Sequence, residues 1–322
     1  MDKEKPSSRK PSSGFSRRDL VAAGAVAAAA ALPLAKPAEA QRRNTPGGTG
    51  EIRVLLITKG HAFDRANFFE MFDALGETIT WTHVEHPAAT EFWNPELAKD
   101  YDVFVYYDMA GRGGRNADGT PNDIVPSAKM KQNLAALLRQ GKGMVFFHHA
   151  LASWVHTWPE YIEVMGGAAD WGRTIKNVSG KEYPFSGYRP NTREHITVEP
   201  GEENHPVVAG LTDGFDIVDE TYLAPMLEDK VHPLLRTDFV PTTKEFEIGM
   251  RREPTWNHPP GSNMTAWYKA AENSPIVYIQ HGHDDVAWSN ANFRRLMENA
   301  IRWTASKEGL AWAKANPAKI FK

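Results

Sequence analysis

The chain contains no cysteine. That absence excludes a thiolate nucleophile, a thiolate metal ligand and any disulfide staple. A basic excess is missing too. Net charge is −3 over 322 residues, and no basic stripe runs through the body of the chain. Nucleic acid is therefore not an expected partner. Long apolar runs are also lacking. The best candidate, Val21 to Leu34, is Ala-rich, short and interrupted by Pro33, so no stable membrane span is expected.

The surroundings of that stretch give it another reading. Ser16-Arg17-Arg18-Asp19-Leu20 precedes it as a twin-arginine pattern, and Ala38-Glu39-Ala40 follows as a small-x-small cleavage site. Residues 1–40 are expected to be a twin-arginine signal peptide, with a periplasmic or secreted destination. Residues 41–50 are polar and rich in Gly and Arg, and read as a flexible linker. Residues 51–305 are expected to form one α/β domain, and residues 306–322 a surface tail.

Within 51–305 the apolar pattern alternates between two periods. Ile52–Ile57, Ile79–Val84, Asp102–Tyr107, Met144–Phe147 and Pro275–Gln280 are nearly continuous apolar runs, as in strands buried on both faces. Helical spacing links Phe68, Phe72 and Leu75 before Gly76. It also links Met130, Leu134, Leu137 and Leu138 before Gly141, and Phe293, Leu296, Met297, Ala300 and Ile301 over Asn290–Trp303. Trp154 to Met165 reads as a further helix interrupted near Pro159. This alternation predicts a doubly wound, mostly parallel sheet. From Asp170 to about Thr265 it fades. Short strand candidates remain at His195–Val198, Asp216–Val218 and Phe246–Met250, so this part is expected to be a partly antiparallel insertion folded over the crevice.

Histidines and acids stand where the runs end: His61 and Asp64, His148-His149, Asp219-Glu220 before Tyr222, and His281, His283 and Asp284. In an open parallel sheet the groups just past the strand C-termini share one crevice. Imidazole and carboxylate together can hold a divalent metal or move protons near neutral pH. Asp64 serves equally well as a helix cap. One of the pair His148-His149 is expected to face the crevice, because adjacent residues leave a strand in opposite directions. By the same alternation His281 and His283 share a side if the chain stays extended, with Asp284 orienting His283. Ten Trp, fifteen Phe and nine Tyr are mostly core. Trp154, Trp171, Tyr188 and Trp288 lie close to the motifs, and one or two are expected to stack on a ligand. His205-Pro206 reads as a structural turn, and Arg112 and Arg115, in a Gly-rich loop, as solvated charge.

Taken together, several of these segments resemble the ThuA-like (trehalose utilisation) family of the class I glutamine amidotransferase-like fold group. The resemblance is carried by residues 55–64 (LLITKGHAFD), 143–151 (GMVFFHHAL), Trp158-Pro159-Glu160-Tyr161 with Gly166-Gly167, and His205-Pro206-Val207 with Gly210-Leu211. It continues through Asp219-Glu220-Thr221-Tyr222 to Gly282-His283-Asp284 and Trp288. It implies a flavodoxin-like fold and a sugar-related role. The fold's glutaminases carry a nucleophilic Cys on the turn after the fourth sheet strand; here that turn holds His148-His149, so glutamine hydrolysis by a thiolate is excluded.

The expected function is a carbohydrate-processing enzyme that hydrolyses, isomerises or eliminates on a saccharide or keto-saccharide. His61, His148, His283 and Glu220 are the expected ligands of a divalent metal, zinc by default. His148, Glu220 and His283 are the catalytic candidates. His149, Trp154, Tyr222 and Trp288 are the substrate-binding candidates. The alternative is a non-catalytic sugar-binding or accessory protein. A homo-oligomer is compatible with either.

Overall fold

The computed structural model describes residues 51–246 and 257–321. The signal, the linker and all but the first residue of the strand candidate at Phe246–Met250 lie outside them. Nine strands, numbered in chain order, form the central sheet. They are β1 (Ile52–Lys59), β2 (Ile79–Glu85), β3 (Val103–Asp108), β4 (Gly143–Phe147), β5 (Gly187–Val198), β6 (Phe215–Leu223), β7 (His232–Thr237), β8 (Met264–Ala271) and β9 (Ser274–Ile279). Their spatial order is β6-β5-β7-β8-β9-β4-β3-β1-β2.

The pairs β2/β1, β1/β3, β3/β4 and β4/β9 are parallel. The order 2-1-3-4 with β9 next is that of a flavodoxin-like sheet, whose ligand crevice opens where the order reverses, between β1 and β3. The pairs β9/β8, β8/β7, β7/β5 and β5/β6 are antiparallel. The insertion thus extends the sheet, and parts of it, among them Trp171, Tyr188 and Tyr222, line the crevice as expected.

Alternate residues of β1 feed two cores, one on each face. Val54 and Leu56 join Phe68 and Phe72 of α1 (Arg65–Asp73). Leu55 and Ile57 join Leu134 and Leu138 of α2 (Ala128–Gln140) and Tyr161 of α3 (Pro159–Met165). Asp64, Ser127 and Asn290 accept backbone N–H groups and so start α1, α2 and α5 (Ala291–Thr304), the last preceded by the short α4 (Asp285–Ser289). Phe293, Leu296, Met297, Ala300 and Ile301 of α5 are fully buried.

Three expectations need correcting. Trp154–Met165 is helical only from Pro159, because the chain makes a 3-10 turn at His148–Ala152 and Trp154 takes φ 59°. Residues 306–322 are not a loose tail. They form α6 (Lys307–Ala315), which buries Ala313 and packs Trp312 on Tyr268 and Trp303. Asp219–Tyr222 do not follow a strand but lie inside β6, at a bulge between Asp219 and Thr221.

Candidate active site

β4 ends at Phe147, and His148 immediately adopts a left-handed backbone, φ 52°. That conformation is costly for a residue with a Cβ and marks functional turns when the surroundings enforce it. Here Tyr278 donates its hydroxyl to the His148 carbonyl at 2.8 Å. The imidazole is fully buried, and its Nδ1 lies 3.0 Å from the Gln280 carbonyl. A carbonyl only accepts, so Nδ1 carries the proton and Nε2 presents a lone pair.

Around that lone pair other groups converge. His283 Nδ1 is 3.0 Å away, the Tyr222 hydroxyl 2.8 Å and Glu220 Oε1 3.6 Å. Glu220 Oε1 is 3.8 Å from His283 Nδ1. The donor atoms of His148, Glu220 and His283 all lie within 4.8 Å of one another. Two imidazoles and a carboxylate are a common donor set for a catalytic divalent ion. The Tyr222 hydroxyl stands beside both the His148 ring and the Glu220 carboxyl.

The residues behind this cluster hold it still. The buried Asp219 carboxylate accepts the backbone N–H groups of Gly282 and of His283 (3.1 Å) and that of Glu220 (2.7 Å), tying β6 to the turn after β9. Tyr107 donates to the His283 carbonyl at 3.2 Å, and Trp288 donates from Nε1 to the Gly282 carbonyl at 2.8 Å. Gly282 has φ 123°, and a Cβ there would meet the Phe147 ring at 2.8 Å. This kink overrules the alternation expected of His281 and His283. His281 turns away and pairs with the fully buried Glu194 at 2.7 Å. Asp284 caps α4 rather than hydrogen-bonding His283; burial first and then His61 lower the His283 pKa, and the Asp284 charge offsets only part of that fall.

Burial dominates the protonation of the cluster. It drives His148 well below the ordinary histidine value, with the neighbouring imidazoles of His149 and His283 adding to the fall. It lowers His149 to about 3 and pushes Asp219 up to about 6. Glu220 rises to about 7, burial first and the charges of Asp219 and Asp284 adding, against a lowering hydrogen bond from Tyr222. A carboxyl poised there can give or take a proton near neutral pH.

These groups line one cleft of about 1270 Å³. Both members of His148-His149 face it, not one as expected, because the 3-10 turn replaces strand alternation. His149 is anchored through Nδ1 to the Asp108 carbonyl at 3.3 Å. Its buried Nε2 has no hydrogen-bond partner among the described residues. His61 is exposed at the entrance, its ring centroid 5.0 Å from that of His149 and 5.5 Å from that of His283. It is not one of the three convergent donors, since its loop holds it outside the buried cluster. Trp171 and Tyr188 line the cleft, with the Trp171 ring centroid 5.4 Å from that of Tyr222.

Two expected substrate contacts are misplaced. Trp154 is 4% exposed and packs against His86, Trp93 and Trp158 in the core. Trp288 is 2% exposed and packs on Phe68. Proximity in sequence to a motif does not put a large ring on the cleft side of the sheet. Asp64 caps α1, and His205 Nδ1 accepts from Val207 N at 3.2 Å in a structural turn. Asp108 and the Gln280 carbonyl were missed. Asp108 ends β3, a strand-end signal of the kind used for the others. A backbone carbonyl leaves no trace in a sequence.

A doubly wound sheet whose cleft lies past the C-termini of its parallel strands, with a strained turn at its centre, defines a flavodoxin-like α/β protein. Within that class the chain belongs to the ThuA family, described as trehalose utilisation, whose model matches residues 53–304. No curated protein matches the chain. A structure from Parabacteroides merdae described as ThuA-like is similar at 16% identity and a TM-score of 0.55, covering 79% of this chain and 90% of that one. Another, from Bacteroides uniformis, is similar at 17% identity and a TM-score of 0.53, covering 85% and 98%. These likenesses concern the fold. Among the described residues no helix is long and apolar enough to cross a membrane.

Proposed function

We propose that this chain is an exported carbohydrate-processing enzyme that acts on a saccharide or keto-saccharide at the histidine cleft. The observation that carries this reading is the convergence of His148 Nε2, His283 Nδ1 and Glu220 Oε1 on the cleft floor, with the His148 tautomer set by the Gln280 carbonyl. The family's association with trehalose utilisation supports a sugar as the substrate. The twin-arginine pattern at Arg17-Arg18 supports export to the periplasm.

His148, Glu220 and His283 would hold a divalent ion, zinc by default for such donors, and it would supply Lewis acidity at the cleft floor. The chain's own groups do the rest. His149 Nε2 accepts a sugar hydroxyl, since its Nδ1 is committed to Asp108. Glu220 either completes that ligand set or, left free, moves the proton. Tyr222 donates a hydrogen bond to the reacting oxygen or to His148. Trp171 and Tyr188 offer flat faces to the C–H side of a sugar ring. These roles serve hydrolysis, isomerisation or elimination alike.

A second reading, a metal-free sugar binder, is favoured by the hydrogen bond of 2.8 Å between Tyr222 and His148, which satisfies Nε2 without an ion. Elemental analysis of the folded protein separates the two. Stoichiometric transition metal that disappears in His148→Ala, together with sugar turnover, supports the enzyme. Metal-free protein that binds sugar unchanged sinks it.

A further inference from the structure

We infer that the outer wall of the cleft is an anion subsite, so that the saccharide accepted here carries a carboxylate. The inference rests on the saccharide reading above and adds a charge to it. Two segments build that wall. One is the hairpin of Arg112–Arg115 and Pro121–Asp123, and the other is the turn at residues 170–174. They are bridged reciprocally. Arg112 of the hairpin donates to Asp170 of the turn at 2.9 Å. Arg173 of the turn donates through both terminal nitrogens to Asp123 of the hairpin, at 2.6 and 2.9 Å.

The bridges do not consume the cationic character of the wall. Arg112 places only one nitrogen on its carboxylate, and the Arg112 and Arg173 side chains remain 34% and 32% exposed where they line the cleft. Asp170 is fixed in turn. Its Oδ1 accepts the N–H groups of Gly172 and Arg173, both at 2.8 Å, and its Oδ2 lies 2.9 Å from His156 Nε2. The guanidinium planes are thus set before a ligand arrives, which lowers the entropy lost on binding.

Arg115 is the uncompensated member. It comes from the same hairpin and lines the same cleft. It donates only to the Gly119 carbonyl, at 2.6 Å, and no carboxylate among the described residues pairs with it. Three guanidinium groups therefore face two wall carboxylates, Asp123 and Asp170. The cleft's remaining acid, Glu220, is engaged with the imidazoles of the floor. A planar fork of N–H donors matches a carboxylate better than it matches a neutral hydroxyl. Trp171 lines the same cleft as the three arginines, so one ligand can meet a ring-stacking face and the charge together. That adjacency selects a sugar acid over a free anion.

The test is equilibrium binding to the full chain, by calorimetry, of D-glucuronate, D-glucose and malonate, repeated with Arg115→Gln. Glucuronate is expected to bind about tenfold more tightly than glucose, from one added charge-assisted contact. The margin should shrink at high salt and fall to about twofold or less in Arg115→Gln, with glucose affinity unchanged. Equal affinity for glucuronate and glucose, or a margin that survives the substitution, overturns the anion subsite and leaves the saccharide reading standing. Malonate binding as tightly as glucuronate, with no glucose binding, does the reverse. Binding of none of the three overturns both.

Discussion

Strands β2-β1-β3-β4-β9 deliver His61, His148 and His283 from turns just past their C-terminal ends, whereas the antiparallel half delivers Glu220 and Tyr222 from inside a strand. In the sheet order β6 is the far edge and β4 lies near the middle, yet the Tyr222 hydroxyl sits 2.8 Å from the His148 ring. The sheet coils enough to bring its own edge back to the crevice. The parallel half therefore supplies a generic crevice that the whole fold class shares. The antiparallel half supplies the carboxylate and the phenol that give this crevice its chemistry.

Substitutions should separate the two contributions. The largest effect is expected for His148→Ala. Turnover of the folded fraction should fall by about a thousandfold or more, because a proton-moving or ligating group is lost. Activity that survives intact would remove the parallel half from the mechanism. Next comes Leu56→Ala, in the core of β1. It is fully buried, and chemical denaturation should report a loss of about 2–5 kcal/mol. Leu56 does not line the cleft, so the folded fraction should keep wild-type turnover.

Asp219→Asn tests the bridge between the halves. The amide cannot accept the N–H groups of Gly282, His283 and Glu220 as a charged carboxylate does. Metal affinity or turnover should drop about 10- to 100-fold, the usual cost of losing a group that orients ligands. If Asp219→Asn matches wild type in both, the two halves are not coupled through it. The smallest effect concerns pH. His205 is lowered to about 4, by burial first and then by His232. Its folded value lies below the ordinary 6.5, so the fold favours the neutral ring. Stability should be unaffected by His205 above pH 6.5 and decline as pH falls from there toward 4. His205→Asn, which keeps a capping acceptor, should flatten that decline in thermal melts. A slope identical to wild type would assign the acid sensitivity elsewhere.

The parallel half was legible because its strands are buried on both faces and read as unbroken apolar runs, and because strand ends predict the crevice. The same logic found His61, His148 and His283. It failed where backbone geometry intervenes. His281 is separated from His283 by the left-handed Gly282, which no spacing rule foresees. Trp154 and Trp288 sit beside motifs in sequence, but their rings are buried in the two cores on opposite faces of the sheet. The arginine hairpin reads as solvated charge until its partner turn, some sixty residues later in the chain, is seen beside it. Helix α6 was read as a tail because its apolar positions are few. It is held by Trp312 on a surface of Tyr268 and Trp303 that only the folded sheet creates.

The Asp219 clamp also constrains when during synthesis the centre can exist. It joins residues 63 and 64 positions apart, while the carbonyl that sets the His148 tautomer comes from 132 positions downstream. A ribosome-bound chain that has not yet released β9 and its following turn possesses neither. Every truncated product ending before Gln280 lacks a competent centre, so premature activity on a nascent chain is precluded by topology rather than by any inhibitor.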